Sequence, residues 1–243
     1  MKNISLSTSL LFLALVGCEE RPGITEYSRE TAAVSEAAGP ASDREPIRNA
    51  SPDGSMMDTS SNAYIVFDGS GSMAGEPIAQ AKRAATAFIA GAPDDLNIGL
   101  AVFDGKRMDG REIVPIGRGP EQREKLKAEI AAVEAGGGTP LGAAIRIGTD
   151  ALIKQFQKQL RYGDIRLIVV TDGAASDGRD FMDSIDFAKK YHVPIYTIGF
   201  RIGGSHPLRQ YSEAYFTADD EKQLLQAMEE TLAELDDSTV IDL

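Results

Sequence analysis

The sequence predicts an α/β fold in which a doubly wound, mostly parallel sheet of six strands carries helices on both faces. Residues 63–67 and 166–171 form short apolar runs, which are typical of strands buried on both faces. Residues 77–90 begin with a proline and have apolar side chains near helical spacing. Strand-like and helix-like segments alternate from there on, and this order places helices on both faces of a parallel sheet.

The remaining elements can be assigned in order along the chain. The strands are predicted at residues 63–67, 98–103, 112–116, 166–171, 194–199 and 214–217. The third strand should lie at a sheet edge, because Pro115 cannot donate a hydrogen bond to a central ladder. The helices are predicted at residues 77–90, 120–133, 140–159, 179–190 and 219–235. Three glycines at 136–138 separate the second helix from the third, and Asp219 is expected to cap the last one.

Charge and composition exclude some functions. The chain of 243 residues has 37 acidic and 25 basic residues, a net charge of −12, so nonspecific binding to nucleic acid or to an anionic membrane surface is not expected. Cys18 is the single cysteine, and His192 and His206 are the two histidines. No disulfide can form within the chain and no Cys/His zinc cluster can be assembled. A bound metal would therefore need oxygen ligands, as Mg²⁺, Ca²⁺ or Mn²⁺ does.

Residues 1–18 are predicted to be a signal peptide. Lys2 gives a weakly positive start and residues 10–16 a short apolar core, too short to span a membrane. The core ends in Leu-Val-Gly-Cys, which resembles the lipobox of bacterial lipoproteins. This resemblance implies that the Cys18 thiol is lipidated and becomes the N-terminus after cleavage. The alternatives are an ordinary signal peptide with an incidental cysteine, or a short buried helix.

The rest of the chain divides into a tether, a domain and a tail. Residues 19–61 are rich in Glu, Ala, Ser, Pro and Gly and lack a sustained apolar period, so a disordered tether is predicted. Residues 62–236 contain all the predicted strands and helices and form the domain. Residues 237–243 are a short tail. Lipidation at Cys18 would place the domain outside the cytoplasm, in the bacterial cell envelope. The membrane that holds the lipid can be either the inner or the outer membrane.

A polar loop directly follows the first buried strand. Asp68, Ser70 and Ser72 are spaced two apart and separated by glycines. Ligands of open α/β sheets bind at the carboxyl ends of the strands, so this loop lies on the functional edge. One carboxylate and two hydroxyls can converge on a hard cation. A phosphate-binding loop, a dinucleotide-binding turn and a nucleophile elbow are excluded, because their glycine, lysine and serine spacings are missing.

Two later residues make the resemblance to a family specific. Asp-x-Ser-x-Ser at residues 68–72, Thr139 after the glycines, and Asp172 after the fourth strand follow in the order found in von Willebrand factor type A (VWA) domains. The resemblance covers roughly residues 63–235. It implies a Rossmann-like fold and a metal-ion-dependent adhesion site built from five residues: Asp68, Ser70, Ser72, Thr139 and Asp172.

The resemblance implies a binding protein that is not an enzyme. The two serine hydroxyls would ligate Mg²⁺, with Ca²⁺ or Mn²⁺ possible, and an acidic side chain of a protein or peptide partner would complete the coordination. The alternatives are an assembly or maturation subunit of a cell-envelope complex and a metal-assisted hydrolase. Nearby, Asp104 is expected to be a solvated loop carboxylate and His206 a loop residue. Ser176 and Asp177 follow Asp172 and are candidates for a surface that selects partners, although nothing in the sequence requires it.

Overall fold

The computed structural model of the chain describes residues 57–106, 111–202 and 206–233. The predicted signal peptide with Cys18, the tether before residue 57 and the tail lie outside the described residues. Contacts between residues divide the chain into two units, and the described residues belong to the second, Ile47–Leu243. In the described part of the chain, no helix has the length and apolar character needed to cross a membrane.

Six strands form one sheet, as the alternation of apolar segments predicts. They are β1 (Asn62–Gly69), β2 (Asn97–Asp104), β3 (Arg111–Gly117), β4 (Ile165–Thr171), β5 (Ile195–Phe200) and β6 (Ala214–Ala218). The strand order is β3-β2-β1-β4-β5-β6. Only β3 runs antiparallel to its neighbour, and it lies at an edge as Pro115 indicates. The prediction of a mostly parallel, six-stranded sheet is confirmed.

In the described part of the chain, five α-helices cover the sheet. They are α1 (Glu76–Gly91), α2 (Pro120–Ala131), α3 (Leu141–Lys158), α4 (Gly178–Lys190) and α5 (Glu221–Ala233). Apolar residues of α1, α2 and α5 pack in one core, and those of α3 and α4 pack in another on the opposite face. Alternate residues of β1 point into the two cores, so that Ile65 and Phe67 face the first and Tyr64 and Val66 the second.

One helix cap differs from the prediction. Asp219 was expected to cap the last helix, but the carboxylate that accepts a hydrogen bond from the helix N-terminus belongs to Asp220. Its Oδ1 accepts from the backbone N–H of Gln223 at 2.9 Å, and the Gln223 side chain accepts from Asp219 N–H at 2.9 Å. Asp220 is therefore the capping residue, and Gln223 bonds back to the residue before it, which makes the arrangement a variant of the capping box. Two adjacent aspartates give the same sequence signal, and only the backbone path decides between them.

We call the edge at which the parallel strands begin the base. It is defined by Asn62 at the start of β1, which pairs with Asn97 at the start of β2 and with Ile165 at the start of β4. Asn62 is fully buried there. Its Nδ2 donates to Gln159 Oε1 at 2.7 Å and to the carbonyls of Asp164 at 2.9 Å and Ser60 at 3.1 Å. This network fixes the position at which the chain enters the domain.

Replacing Asn62 with alanine is expected to destabilise the domain by about 2–3 kcal/mol, because buried partners are left unsatisfied. Denaturant unfolding measures this free energy. Gln226→Ala is the control, since Gln226 bonds only to Glu230 on the exposed side of α5, and we expect a change below about 0.5 kcal/mol. Equal effects for the two variants would contradict a structural role for the network.

Candidate functional site

The loop after β1 is organised around a buried carboxylate. Asp68 is fully buried, and its Oδ1 accepts a hydrogen bond from the backbone N–H of Ser70 at 2.7 Å. Its Oδ2 accepts from the Thr171 hydroxyl at 2.6 Å. β1 and β4 are parallel neighbours, so their carboxyl ends bring residues about a hundred positions apart in sequence into contact. Asp68 thus connects the two central strands at the edge where ligands of such sheets bind.

Three of the predicted site residues form a continuous chain of oxygen atoms. Ser70 Oγ lies 3.0 Å from Ser72 Oγ, and the Ser72 hydroxyl donates to Asp172 Oδ1 at 2.7 Å. Ser70 is buried, Asp172 is half-buried and Ser72 is exposed. The chain of oxygens therefore runs from the interior to the surface, where a ligand has access to it.

The loop that carries Thr139 lies beside this chain of oxygens. Gly136 N–H donates to the Gly69 carbonyl at 2.9 Å, and Gly71 N–H donates to the Gly137 carbonyl at 3.2 Å. Thr139 is buried, and its backbone N–H donates to Ser176 Oγ at 3.1 Å. Backbone contacts thus hold the Thr139 loop against both the loop after β1 and the loop after β4.

Three further residues support the site and were not predicted to do so. Thr171 holds the Asp68 carboxylate, and Ser176 also donates its backbone N–H to the Thr139 carbonyl at 2.8 Å. Asp177 accepts from the N–H groups of Gly142 at 3.1 Å and Ala143 at 3.0 Å, at the N-terminus of α3. Ser176 and Asp177 thus bind the Thr139 loop and the helix that follows it.

Asp177→Ala is expected to destabilise the domain by about 1–2 kcal/mol, because two N–H groups at a helix N-terminus lose a charged acceptor. Thermal or denaturant unfolding measures the change. Asp177→Asn keeps one acceptor oxygen and should recover part of the loss. If the asparagine variant is as unstable as the alanine variant, the contact with α3 does not stabilise the domain.

Asp104 is buried, which corrects the expectation of a solvated loop carboxylate. Its Oδ1 accepts from Lys106 N–H at 2.9 Å and its Oδ2 from Glu134 N–H at 3.3 Å. These bonds connect the end of β2 to the segment that leads into the Thr139 loop. One donor lies in the turn that follows Asp104, and the other lies 30 positions away in the sequence. The local sequence around Asp104 does not reveal the second donor.

His206 also has a structural place near the site. It is buried before a short 3₁₀ helix, where Nδ1 accepts from Leu208 N–H at 3.1 Å. Nδ1 is therefore unprotonated in the neutral ring, and Nε2–H donates to the Gly173 carbonyl at 2.7 Å. Burial lowers the pKa of His206, opposed by the bond to Gly173. The ring holds the backbone directly after Asp172, so His206 is a loop residue with a positioning contact.

Both carboxylates of the site have raised pKa values. Burial raises the pKa of Asp68, partly offset by hydrogen bonds from Thr171 and Ser70, and the nearby Asp172 charge raises it further. Burial also raises the pKa of Asp172, opposed by the bond from Ser72. Among the ion pairs between described residues, none involves Asp68 or Asp172. Within the described residues, the two acids thus lie close together and neither forms an ion pair.

The donor set limits how a metal could be held. Across residues 57–106, 111–202 and 206–233, no group of three or more His, Cys, Asp or Glu side chains is placed to hold a metal ion. A cation bound in the described part of the domain would therefore combine carboxylates with neutral oxygen ligands, such as hydroxyls. Ser70, Ser72 and Asp172 bring two hydroxyls and a carboxylate together, with Asp68 and Thr139 in the same group of loops.

The surface around these oxygens is open and lined with small residues. Exposed small residues surround Ser72 on three loops, at Gly71, Ala74, Gly75, Gly137, Gly138 and Ala174. These residues have little or no side chain, so a large ligand can approach the oxygens closely. We call this surface the rim.

Comparisons with known proteins agree with the fold. A structure described as von Willebrand factor type A from Catenulispora acidiphila aligns with a TM-score of 0.61 at 19% identity, over 72% of this chain and 42% of that chain. The vWF domain of the type V pili tip protein Mfa5 from Porphyromonas gingivalis aligns with a TM-score of 0.53 at 13% identity, over 76% and 98%. Manganese-loaded TRAP protein from Plasmodium vivax aligns with a TM-score of 0.51 at 19% identity, over 71% and 73%.

At these identities the structural similarities show the fold alone. The comparison with curated proteins gives no match. The sequence model of the von Willebrand factor type A domain matches residues 62–233, which is most of the chain and nearly all of the described domain. The chain belongs to the von Willebrand factor type A domain family.

Proposed function

We propose that this protein binds a protein or peptide partner through one divalent metal ion held by Asp68, Ser70, Ser72, Thr139 and Asp172. The observation that carries the proposal is the chain of contacts from Ser70 Oγ through Ser72 Oγ to Asp172 Oδ1. VWA domains mediate protein interactions and often bind divalent metals, and these residues are the ones that would do so here.

The chemistry of the donors supports Mg²⁺ as the ion. Ser70, Ser72 and Asp172 supply oxygen atoms alone, and hydrogen bonds of 3.0 Å and 2.7 Å connect these oxygens. Mg²⁺ binds oxygen ligands and keeps several waters, so it suits a site with few carboxylates. Ca²⁺ and Mn²⁺ are the alternatives. Of the neighbours compared above, the TRAP structure is manganese-loaded.

Each residue has a distinct task in this proposal. Ser70 and Ser72 supply neutral oxygens, and Asp172 supplies the carboxylate nearest the surface. Asp68 holds the loop through Ser70 N–H, and its charge, like that of Asp172, would be stabilised by a cation. Thr139, on the third loop, would contribute its hydroxyl oxygen directly or through a water. A bound Mg²⁺ would supply an electrophilic centre, and an Asp or Glu side chain of the partner would complete its coordination.

The open rim supports a macromolecular ligand. A small substrate is usually enclosed by a concave pocket that buries most of its surface. Here the oxygens are surrounded by exposed glycines and alanines on three loops. The surface therefore suits an acidic side chain on a protein or peptide, and we propose that the protein is not an enzyme. Nucleic acid is not a proposed ligand, given the net charge of −12.

We also propose that the protein is lipid-anchored in the bacterial cell envelope through Cys18, with the domain outside the cytoplasm. The support is the sequence Leu-Val-Gly-Cys at the end of a short apolar run, followed at once by polar residues. The multiple acyl chains of bacterial lipoproteins would give stable membrane attachment. Metabolic labelling with a clickable fatty acid tests this, and the Cys18→Ser chain should lose the label.

Capture of partners from solubilised envelope proteins tests metal-dependent binding. The wild-type chain should retain one or more proteins in Mg²⁺ and release them with a chelator. Asp68→Ala should retain none, provided that circular dichroism shows it is folded. A folded Asp68→Ala chain that binds its partner normally would overturn the metal-bridged contact.

Two other functions give different results in the same experiments. An assembly or maturation subunit would retain one stoichiometric complex, whereas an adhesion module would retain several proteins that share acidic segments. The type V pili tip protein among the neighbours is a component of a surface assembly. A metal-assisted hydrolase would turn over generic ester, phosphate or peptide substrates in Mg²⁺, and the open surface gives no support for this.

A further inference from the structure

A fourth loop, which carries none of the five proposed ligands, reaches the candidate metal site. It connects β5 to β6 and includes His206 and the short 3₁₀ helix that follows it. The register of the sheet pairs Thr171 at the end of β4 with Gly199 near the end of β5. The chain that leaves β5 therefore starts beside the loop that carries Asp172. We call residues 206–212 the support segment.

The support segment is fixed to the core of the domain. Leu208 is fully buried among the apolar residues on the face of the sheet that α3 and α4 cover. Its carbonyl accepts hydrogen bonds from the Ser212 hydroxyl and the Ser212 N–H, both at 2.9 Å. The Ser212 oxygen also lies 2.7 Å from the Thr197 hydroxyl oxygen on β5. The segment is therefore a firm support for the group that His206 holds.

The group that His206 holds is the Gly173 carbonyl, which accepts from Nε2–H at 2.7 Å. A second donor lies near this carbonyl. The Thr171 hydroxyl oxygen is 3.1 Å from it, but 2.6 Å from Asp68 Oδ2. A hydroxyl has a single proton, and a carboxylate at the shorter distance attracts it more strongly than a carbonyl. The Thr171 proton therefore goes to Asp68, and the Gly173 carbonyl depends on His206.

Gly173 lies directly against the proposed ligands. It follows Asp172 in the chain, and a Cβ on Gly173 would lie 3.8 Å from Ser72 Oγ, an ordinary van der Waals contact. The Ser72 hydroxyl in turn donates to Asp172 Oδ1 at 2.7 Å. A shift of the backbone at Gly173 would therefore move the Asp172 carboxylate relative to Ser72.

The His206 ring connects the support segment to Gly173 through both of its nitrogen atoms. Nδ1 accepts from Leu208 N–H at 3.1 Å, and Nε2–H donates to the Gly173 carbonyl. His206 is 5% exposed, so water competes little for either hydrogen bond. In metal sites, residues that orient a ligand without touching the ion commonly change the metal affinity when they are replaced.

We propose that His206 is a positioning residue of the metal site. It holds the backbone of Asp172 and Gly173 so that the Asp172 carboxylate stays next to Ser72, and it thereby sets the affinity of the site for Mg²⁺. The inference rests on the proposed function, because it requires that these oxygens bind the ion. It adds a fourth loop to the three that carry the ligands.

Two substitutions separate the roles of the two ring nitrogens. The asparagine side chain ends near the position of Nδ1, so His206→Asn can still accept from Leu208 N–H but does not reach Gly173. The glutamine side chain extends to the position of Nε2, so His206→Gln can still donate to the Gly173 carbonyl. Each variant loses one buried hydrogen bond, and we therefore expect similar falls in the unfolding midpoint in chelator.

Calorimetric titration of the full chain with Mg²⁺ measures the affinity. We expect His206→Asn to raise the dissociation constant by about 10–100-fold, the range typical of residues that orient metal ligands. His206→Gln should recover most of this loss. His192→Asn is the control, because His192 is exposed beyond the end of α4, and its left-handed backbone (φ 55°) suits asparagine. Its dissociation constant should equal that of the wild type.

Equal dissociation constants for the asparagine and glutamine variants would overturn the positioning role and leave the proposed function standing. A wild-type chain that does not bind Mg²⁺ would contradict the proposed function and this inference together. Hydrogen exchange of residues 172–176 in chelator gives a second measurement, which does not depend on the metal. We expect exchange there to be severalfold faster in His206→Asn than in His206→Gln. Equal exchange would show that His206 does not hold this loop.

Discussion

Asp172→Asn is expected to abolish the stabilisation of the domain by Mg²⁺. Binding to the folded state alone at a hundred times the dissociation constant stabilises by about 2.7 kcal/mol. For a domain of this size that corresponds to a rise of roughly 5–10 °C in the unfolding midpoint. The variant keeps the size of the side chain but loses the charge beside Ser72. Differential scanning fluorimetry with Mg²⁺ and with chelator measures the difference.

Asp183→Asn is the matched control, because Asp183 is an exposed aspartate on α4, outside the group of site loops. It should show the full response to Mg²⁺. The same experiment with Ca²⁺ tests the preference for Mg²⁺, and a smaller shift is expected at equal concentration. A wild-type chain whose midpoint is the same in Mg²⁺ and in chelator would exclude tight metal binding in the absence of a partner.

Gly142→Val is expected to destabilise the domain by about 3 kcal/mol, a large share of the stability of an ordinary domain. A Cβ on Gly142 would lie 2.3 Å from Phe181 N and 2.4 Å from Phe181 Cα. α3 and α4 pack here backbone to backbone, and neither can give way as a flexible side chain would. The same contact region includes the bond from Gly142 N–H to Asp177, so the Thr139 loop should also shift.

Gly91→Ala is the control for this substitution. Gly91 ends α1, its φ is not in the left-handed region, and a Cβ there would meet nothing within 4 Å. Alanine should therefore leave the stability unchanged or raise it by up to about 1 kcal/mol. Denaturant unfolding of both variants checks the pair. If Gly142→Val unfolds at the wild-type midpoint, the helices are not in close contact at this position.

The sequence predicted the sheet well because its signal is local. The continuous apolar runs that became β1 and β4 reflect burial on both faces, and Pro115 identified the antiparallel edge strand. Helix ends were less certain. Asp219 and Asp220 are equivalent as capping residues by type, and the choice of Asp220 depends on the backbone conformation between β6 and α5.

The candidate site was predictable to the extent that it lies in short motifs. Asp68, Ser70 and Ser72 follow one strand and Asp172 another, so strand order alone brings them to one edge. The burial of Asp104 and the support from Ser176 depend on backbone N–H groups of distant segments. Such partners leave no pattern in the sequence, because a backbone N–H is present at almost every residue.

β1 determines how far the candidate metal site stands from the base. It runs from the buried network at Asn62 to the loop of Asp68, and its 8 residues span about 23 Å at the usual rise per residue. The base is also where Ser60 and Asn62 enter the domain, so the candidate metal site and this entry point lie at opposite ends of the central strand. Attachment of the chain through its N-terminal segment would therefore leave the oxygens of Ser70 and Ser72 free to meet a ligand.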